Sequence, residues 1–145
     1  MIDTAKYDTA LIESFMHDDS LDSTRKYDPR IDDALSEFNI FFREICQKYG
    51  NTETAEASLI DEFNSYLTRK FGRLYFVFCK TMHLRSLGCV WDNSDFYEKR
   101  NGTPLLWQEY GIYINKNRHE SDFDRQITIH HEATHILELE LRKIA

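Results

Sequence analysis

No apolar run in the sequence approaches the roughly 20 residues that a bilayer-crossing helix needs. The first ten residues, MIDTAKYDTA, are neither basic nor hydrophobic. Neither a membrane protein nor a secretory leader is expected. Cysteine is scarce: Cys46, Cys79 and Cys89 are odd in number and widely spaced, with no C-x-x-C pair. That argues against a disulfide framework and for reduced thiols in the cytoplasm, with Cys79 and Cys89 read as small buried hydrophobes rather than zinc ligands. Positive charge is also short, with 18 basic residues against 25 acidic ones and a net charge of −7. Such a surface repels phosphate backbones, so nucleic acid is not expected as a direct partner. The chain has no internal repeat, low-complexity tract or second linker, and its 145 residues suit one core.

Residues 1–28 combine a weakly amphipathic stretch, Ala5 to Phe15, with a polar run from His17 to Tyr27. They read as a short helix and a mobile connector, and residues 29–145 as a single domain. Asp28-Pro29 starts a helix in which Ile31, Leu35, Phe38, Phe42, Ile45 and Tyr49 recur at spacings of four and three, and Gly50 closes it. A second helix runs from about Thr54 to Phe71, burying Leu59, Phe63, Tyr66 and Leu67, with Gly72 as a left-handed cap.

The pattern then changes. Leu74 to Cys79 is a short aromatic-rich apolar run that reads as a central strand. Met82, Leu84, Cys89 and Trp91 suggest a second strand, interrupted near Gly88. Asn101-Gly102-Thr103-Pro104 signals a turn before a third strand, Leu105 to Asn115. From Ser121 the helical period returns, with Ser121 and Asp124 spaced as a capping pair and Ile127, Ile136, Leu137 and Leu141 available to the core. The expected class is α+β: N-terminal helices, a small three-stranded and mostly antiparallel sheet, and a C-terminal helix.

That last helix carries His131-Glu132-Ala133-Thr134-His135, an H-E-x-x-H string. A helix turns about 100° per residue, so histidines four apart lie about 40° apart and can reach one metal ion. Zinc suits imidazole nitrogen, and two such ligands leave room for a third protein group and a water molecule. Glu132, one residue past the first histidine, can face that water and take its proton while the metal polarises a scissile carbonyl.

Three stretches carry a family resemblance: Gly111-Ile112-Tyr113-Ile114-Asn115, then Arg125-Gln126-Ile127-Thr128, then His130-His131-Glu132-Ala133-Thr134-His135-Ile136-Leu137. Together they resemble the ImmA/IrrE family of zincin metallopeptidases, whose members show a strand ending in I-x-[IV]-N and a helix reading roughly F-T-x-A-H-E-x-x-H. The resemblance implies a minimal zincin fold with zinc held by His131 and His135 and with Glu132 as catalytic base. It also implies proteolysis of a regulatory protein partner, often a transcriptional repressor in a phage or mobile-element setting. Family members usually draw a third ligand from well beyond the second histidine, whereas ten residues follow His135 here. Glu138, on the same helical face, ranks first as third ligand and His119 second; Glu120, Asp122, Asp124 and His83 are further candidates. A ligand from a second subunit, a shortened chain and a site that binds no metal remain open.

Other residues have plainer readings. His130 points about 100° from His131 and is expected at the surface or behind the ligands. Tyr110 and Tyr113 could donate to an oxyanion, although strand aromatics are more often core or sheet-surface residues. The strand Gly111 to Asn115 is expected to accept an extended substrate by strand addition. Against a zinc endopeptidase stands a second reading, a catalytically inactive zincin-like protein that binds and blocks a protein partner.

Overall fold

The computed structural model describes residues 3–16, 29–49, 53–115, 117 and 121–144. The elements in chain order are α1 (Thr4–Met16), α2 (Pro29–Tyr49), α3 (Glu53–Phe71), β1 (Leu74–Met82), β2 (Gly88–Asp92), α4 (Asn93–Asn101), β3 (Trp107–Asn115) and α5 (Asp122–Ile144). The class is α+β, with a three-stranded sheet in the order β1-β3-β2. Both long N-terminal helices and the left-handed Gly72, at φ +70°, lie where the periodicity and the glycine put them. The expected connector at 17–28 and the Gly50 stop lie outside the described residues.

The sheet is mixed, which corrects the mostly antiparallel expectation. β1 and β3 pair in parallel from Leu74↔Trp107 to Met82↔Asn115, while β2 pairs antiparallel with β3 from Gly88↔Ile114 to Asp92↔Tyr110. Parallel strands need a long crossover, and β2 with α4 supplies it. The polar sequence of α4 hid this helix. Its signals are at its ends: the Asp92 carboxylate accepts from the Asp95 N–H, and Gly102, at φ 72°, donates its own N–H to the Glu98 carbonyl. Asn101-Gly102, expected to open a turn, is thus a helix stop. Met82 ends β1 rather than opening β2. Leu84 and Ser86, in the loop between these strands, are held by the Asn115 amide, which donates to both carbonyls at 2.8 Å.

The sheet alternates as strands must. Tyr75, Val77, Tyr110, Ile112 and Ile114 are buried, while Leu74, Phe76 and Trp91 are exposed. Against this sheet α3 packs on β1, and α5 on β2 and β3; α1 and α2 close over α5. The core that results joins Phe38 and Phe42 of α2, Leu59, Phe63 and Leu67 of α3, and Ile136 and Leu137 of α5.

Because neighbours surround it, α5 is buried without a break from Gln126 to Thr134, polar residues included. Such groups need hydrogen-bond partners. His130, expected at the surface or behind the ligands, is 1% exposed, so the surface alternative falls. It stacks on Phe42 with centroids 4.3 Å apart, meets the Tyr7 hydroxyl at Nδ1 (2.8 Å) and meets Asn39 Oδ1 at Nε2 (3.0 Å). A carbonyl oxygen can only accept, so Nε2 carries the proton and Nδ1 accepts from Tyr7. That ring ties α1, α2 and α5 together, and it does so as a neutral group.

Burial first, then the neighbouring His131 and Arg43, push its pKa down from 6.5 to about 3. Between those values the unfolded chain binds a proton that the folded chain refuses, so His130 stabilises the fold fully above pH 6.5 and progressively less as pH falls toward 3. The expected slope from this residue approaches about 1.4 kcal/mol per pH unit. Nitrogen NMR at about pH 5 should find the ring neutral, with urea stability already falling. A midpoint near the ordinary histidine value would show that the ring is not locked in this way.

Candidate functional site

α5 begins where the sequence indicated: the Asp124 N–H donates to Ser121 Oγ at 3.2 Å. Arg125 anchors this end to α3 through two bonds to Glu56, at 2.6 and 3.0 Å. Two turns further on, His131 and His135 face each other. Their ring centroids are 4.8 Å apart and their Nε2 atoms 3.1 Å apart. Each ring has a polar neighbour on its other side, close for His131 and more distant for His135. His131 Nδ1 lies 2.8 Å from Ser14 Oγ of α1, and His135 Nδ1 lies 3.8 Å from Glu138 Oε1, which in turn lies near Arg142.

Phe15 completes this side. Its ring stacks on His131 at 4.1 Å and 11°, and meets His135 edge-on at 5.8 Å. Neither Ser14 nor Phe15 was singled out from the sequence. Their signal is weak but present: Tyr7, Leu11, Ser14 and Phe15 fall at helical spacings of four, seven and eight, one face of α1. Tyr7 and Leu11 are buried at the near end of that face, and their docking places the far end over the histidines.

Glu132, about 100° round the helix from His131, faces β2. A methyl group on Gly88 would stand 2.8 Å from Thr128 Cγ2, 3.1 Å from the Tyr113 carbonyl oxygen and 3.3 Å from Glu132 Oε1. Only glycine lets the strand approach this closely. Burial, and after it the Glu132 charge, push the neighbouring Cys89 thiol above its usual range. One helix thus presents its two imidazoles to α1 and its carboxylate to β2.

A zinc ion with bonds of about 2.0–2.1 Å and tetrahedral angles separates its ligands by about 3.3 Å. The 3.1 Å between the two Nε2 atoms fits that edge to within a few tenths of an ångström. Outer contacts at Nδ1 are what metal-binding histidines usually have. The third position is different. Among the described residues no group of three or more His, Cys, Asp or Glu comes together around a common point. Glu138 approaches His135 from its Nδ1 side rather than from the Nε2 contact. The Asp124 carboxylate accepts from Ser121 Oγ at 3.0 Å, and His83 and Asp122 are exposed. His119 and Glu120 lie outside the described residues.

The remaining candidates separate clearly. The Tyr110 hydroxyl donates to buried Glu140, which also accepts from Tyr75 at 2.8 Å and pairs with Lys143 at 3.1 Å. This network fastens the far end of α5 to the sheet, on the side of the helix away from the histidines. Tyr113 stands on the outer sheet face between Phe78 and Trp91. β3 is paired on both sides, which rules out Gly111 to Asn115 as the acceptor of an added strand. β2, beside Glu132, is an outer strand of the described sheet. All three cysteines are free thiols.

No family model, curated protein or solved structure matches the chain. Among the described residues no helix is long and apolar enough to cross a membrane.

The close approach at Gly88 gives a direct check. Gly88→Ala should lower stability by about 1–3 kcal/mol in urea denaturation, because neither Thr128 nor the Tyr113 carbonyl can retreat freely. An unchanged midpoint would mean that β2 can leave α5 without cost.

Proposed function

We propose that this chain is a zinc-dependent endopeptidase of zincin type, related to the ImmA/IrrE peptidases that it resembles, and that it cuts a regulatory protein partner in the cytoplasm. One observation carries the reading: the Nε2 atoms of His131 and His135 converge to 3.1 Å while both Nδ1 atoms face away toward other partners. His131 and His135 are the metal ligands. Glu138 belongs to the same centre as a candidate third ligand, its carboxylate lying 3.8 Å from His135 on the Nδ1 side.

Zinc, when bound, would polarise the scissile carbonyl and acidify the attacking water. The chain's own residues do the rest. Glu132 takes the proton from the attacking water and delivers it to the departing amine, so one carboxylate serves both halves of the hydrolysis. Its place against Gly88 puts this base beside the outer edge of β2, where an extended peptide can add as a further strand through main-chain hydrogen bonds. The reading therefore moves the peptide from β3 to β2.

A second reading has one observation in its favour, the lack of a complete three-ligand set among the described residues. It makes the chain a zincin-like binder that blocks a partner without cutting it. Metal analysis separates the two. The peptidase should hold about one zinc per chain, lose it in His131→Ala, and keep it in Glu132→Ala while losing turnover. Wild-type protein prepared without chelator that holds no zinc, even when zinc is supplied, would leave only the binder.

A further inference from the structure

We infer that Ser14 is a positioning residue that fixes the proton of His131 on Nδ1, so that its Nε2 lone pair is held toward His135. One hydroxyl proton stands between two neighbours. Ser14 Oγ lies 2.5 Å from the Leu11 carbonyl oxygen and 2.8 Å from His131 Nδ1. A carbonyl oxygen cannot donate, so the serine proton occupies that bond. Toward His131 the serine is left with acceptor capacity, and Nδ1 must be the donor. A neutral imidazole has a single N–H, hence the lone pair sits on Nε2, the atom that faces His135 Nε2 at 3.1 Å.

Phe15 works with this contact. Stacked 4.1 Å above the imidazole, it resists rotation of the ring out of the Ser14 bond. α1 is therefore part of the centre rather than an appendage. Its hold on the rest of the chain is remote from the histidine pair: Tyr7 bonds His130, and Arg43 of α2 pairs with Asp8 at 2.8 Å. Removing the Ser14 hydroxyl leaves both anchors in place. The ring state is a property of the metal-free chain, whereas its consequence for metal affinity rests on the zinc reading above.

The test is Ser14→Ala beside Ser14→Thr, which restores a hydroxyl. In metal-free protein at about pH 8.5, two units above the ordinary histidine pKa, the ring nitrogens of His131 are assigned by NMR. Wild type and Ser14→Thr should show the Nδ1–H form, and Ser14→Ala should move toward the Nε2–H form that free histidine prefers. Zinc affinity, measured by competition with a chelator, should fall about 10- to 100-fold in Ser14→Ala, the usual cost of losing such an outer contact, and recover in Ser14→Thr. An unchanged nitrogen pattern in Ser14→Ala overturns the inference, as does a changed pattern with unaltered zinc affinity. Wild type that binds no zinc refutes the metal reading alone, because the nitrogen pattern still decides the role of Ser14.

Discussion

The burial of the polar faces of α5 is the constraint from which the rest of the structure follows. His130, His131, Glu132, Glu138 and Glu140 are all buried within about three turns of one helix. Buried polar groups left without partners cost on the order of 1–3 kcal/mol each, and charged ones more. The fold meets that demand by bringing different elements to different sides. α1 and α2 supply Tyr7, Asn39 and Ser14, β1 and β3 supply Tyr75 and Tyr110, and the helix itself contributes Arg142 and Lys143. The topology can be read as a way of surrounding this helix.

The surroundings divide it into parts with separate tasks. At Glu140 two tyrosine hydroxyls and an ammonium group converge on one carboxylate, and burial together with that carboxylate pushes both phenols above their usual range. These phenols stay protonated and the arrangement is static. At His130 a neutral ring plays a similar part between three helices. The His131 and His135 pair is unlike either, since it brings two imidazole nitrogens of the same kind within 3.1 Å of each other.

Much of this was legible in the sequence wherever one residue type had one physical use. The apolar spacing in α2 and α3 gave both helices, and the aromatic run after Gly72 gave β1. Ser121 with Asp124 gave the start of α5, and the H-E-x-x-H spacing gave the facing imidazoles. What escaped depended on partners distant in sequence. Strand direction is one case: the nine-residue register of β1 with β3 rests on a crossover through a helix too polar to announce itself. His130 is another, because whether a histidine is buried depends on Tyr7 and Asn39 finding it, 123 and 91 residues away. Ser14 and Phe15 belong here too. A weakly amphipathic N-terminal segment says that a helix docks, and not what it docks upon.

The histidine pair itself calls for a physical reason. A buried polar cluster is seldom the most stable way to fill an interior, and well-packed apolar residues of similar volume often do as well or better. For His130 the stability account suffices, since one neutral ring with two good hydrogen bonds joins three helices. For Ser14, His131, His135 and Glu138 it does not. Leucine-like side chains in their place would pack beneath Phe15 and would spare the chain a serine, two imidazoles and a carboxylate that all need partners. Places where a sequence breaks the local rules of stability without a structural return are where chemistry is expected. Here that break coincides with the point at which two imidazole nitrogens are held 3.1 Å apart, with a carboxylate one residue away and turned toward an outer strand of the described sheet.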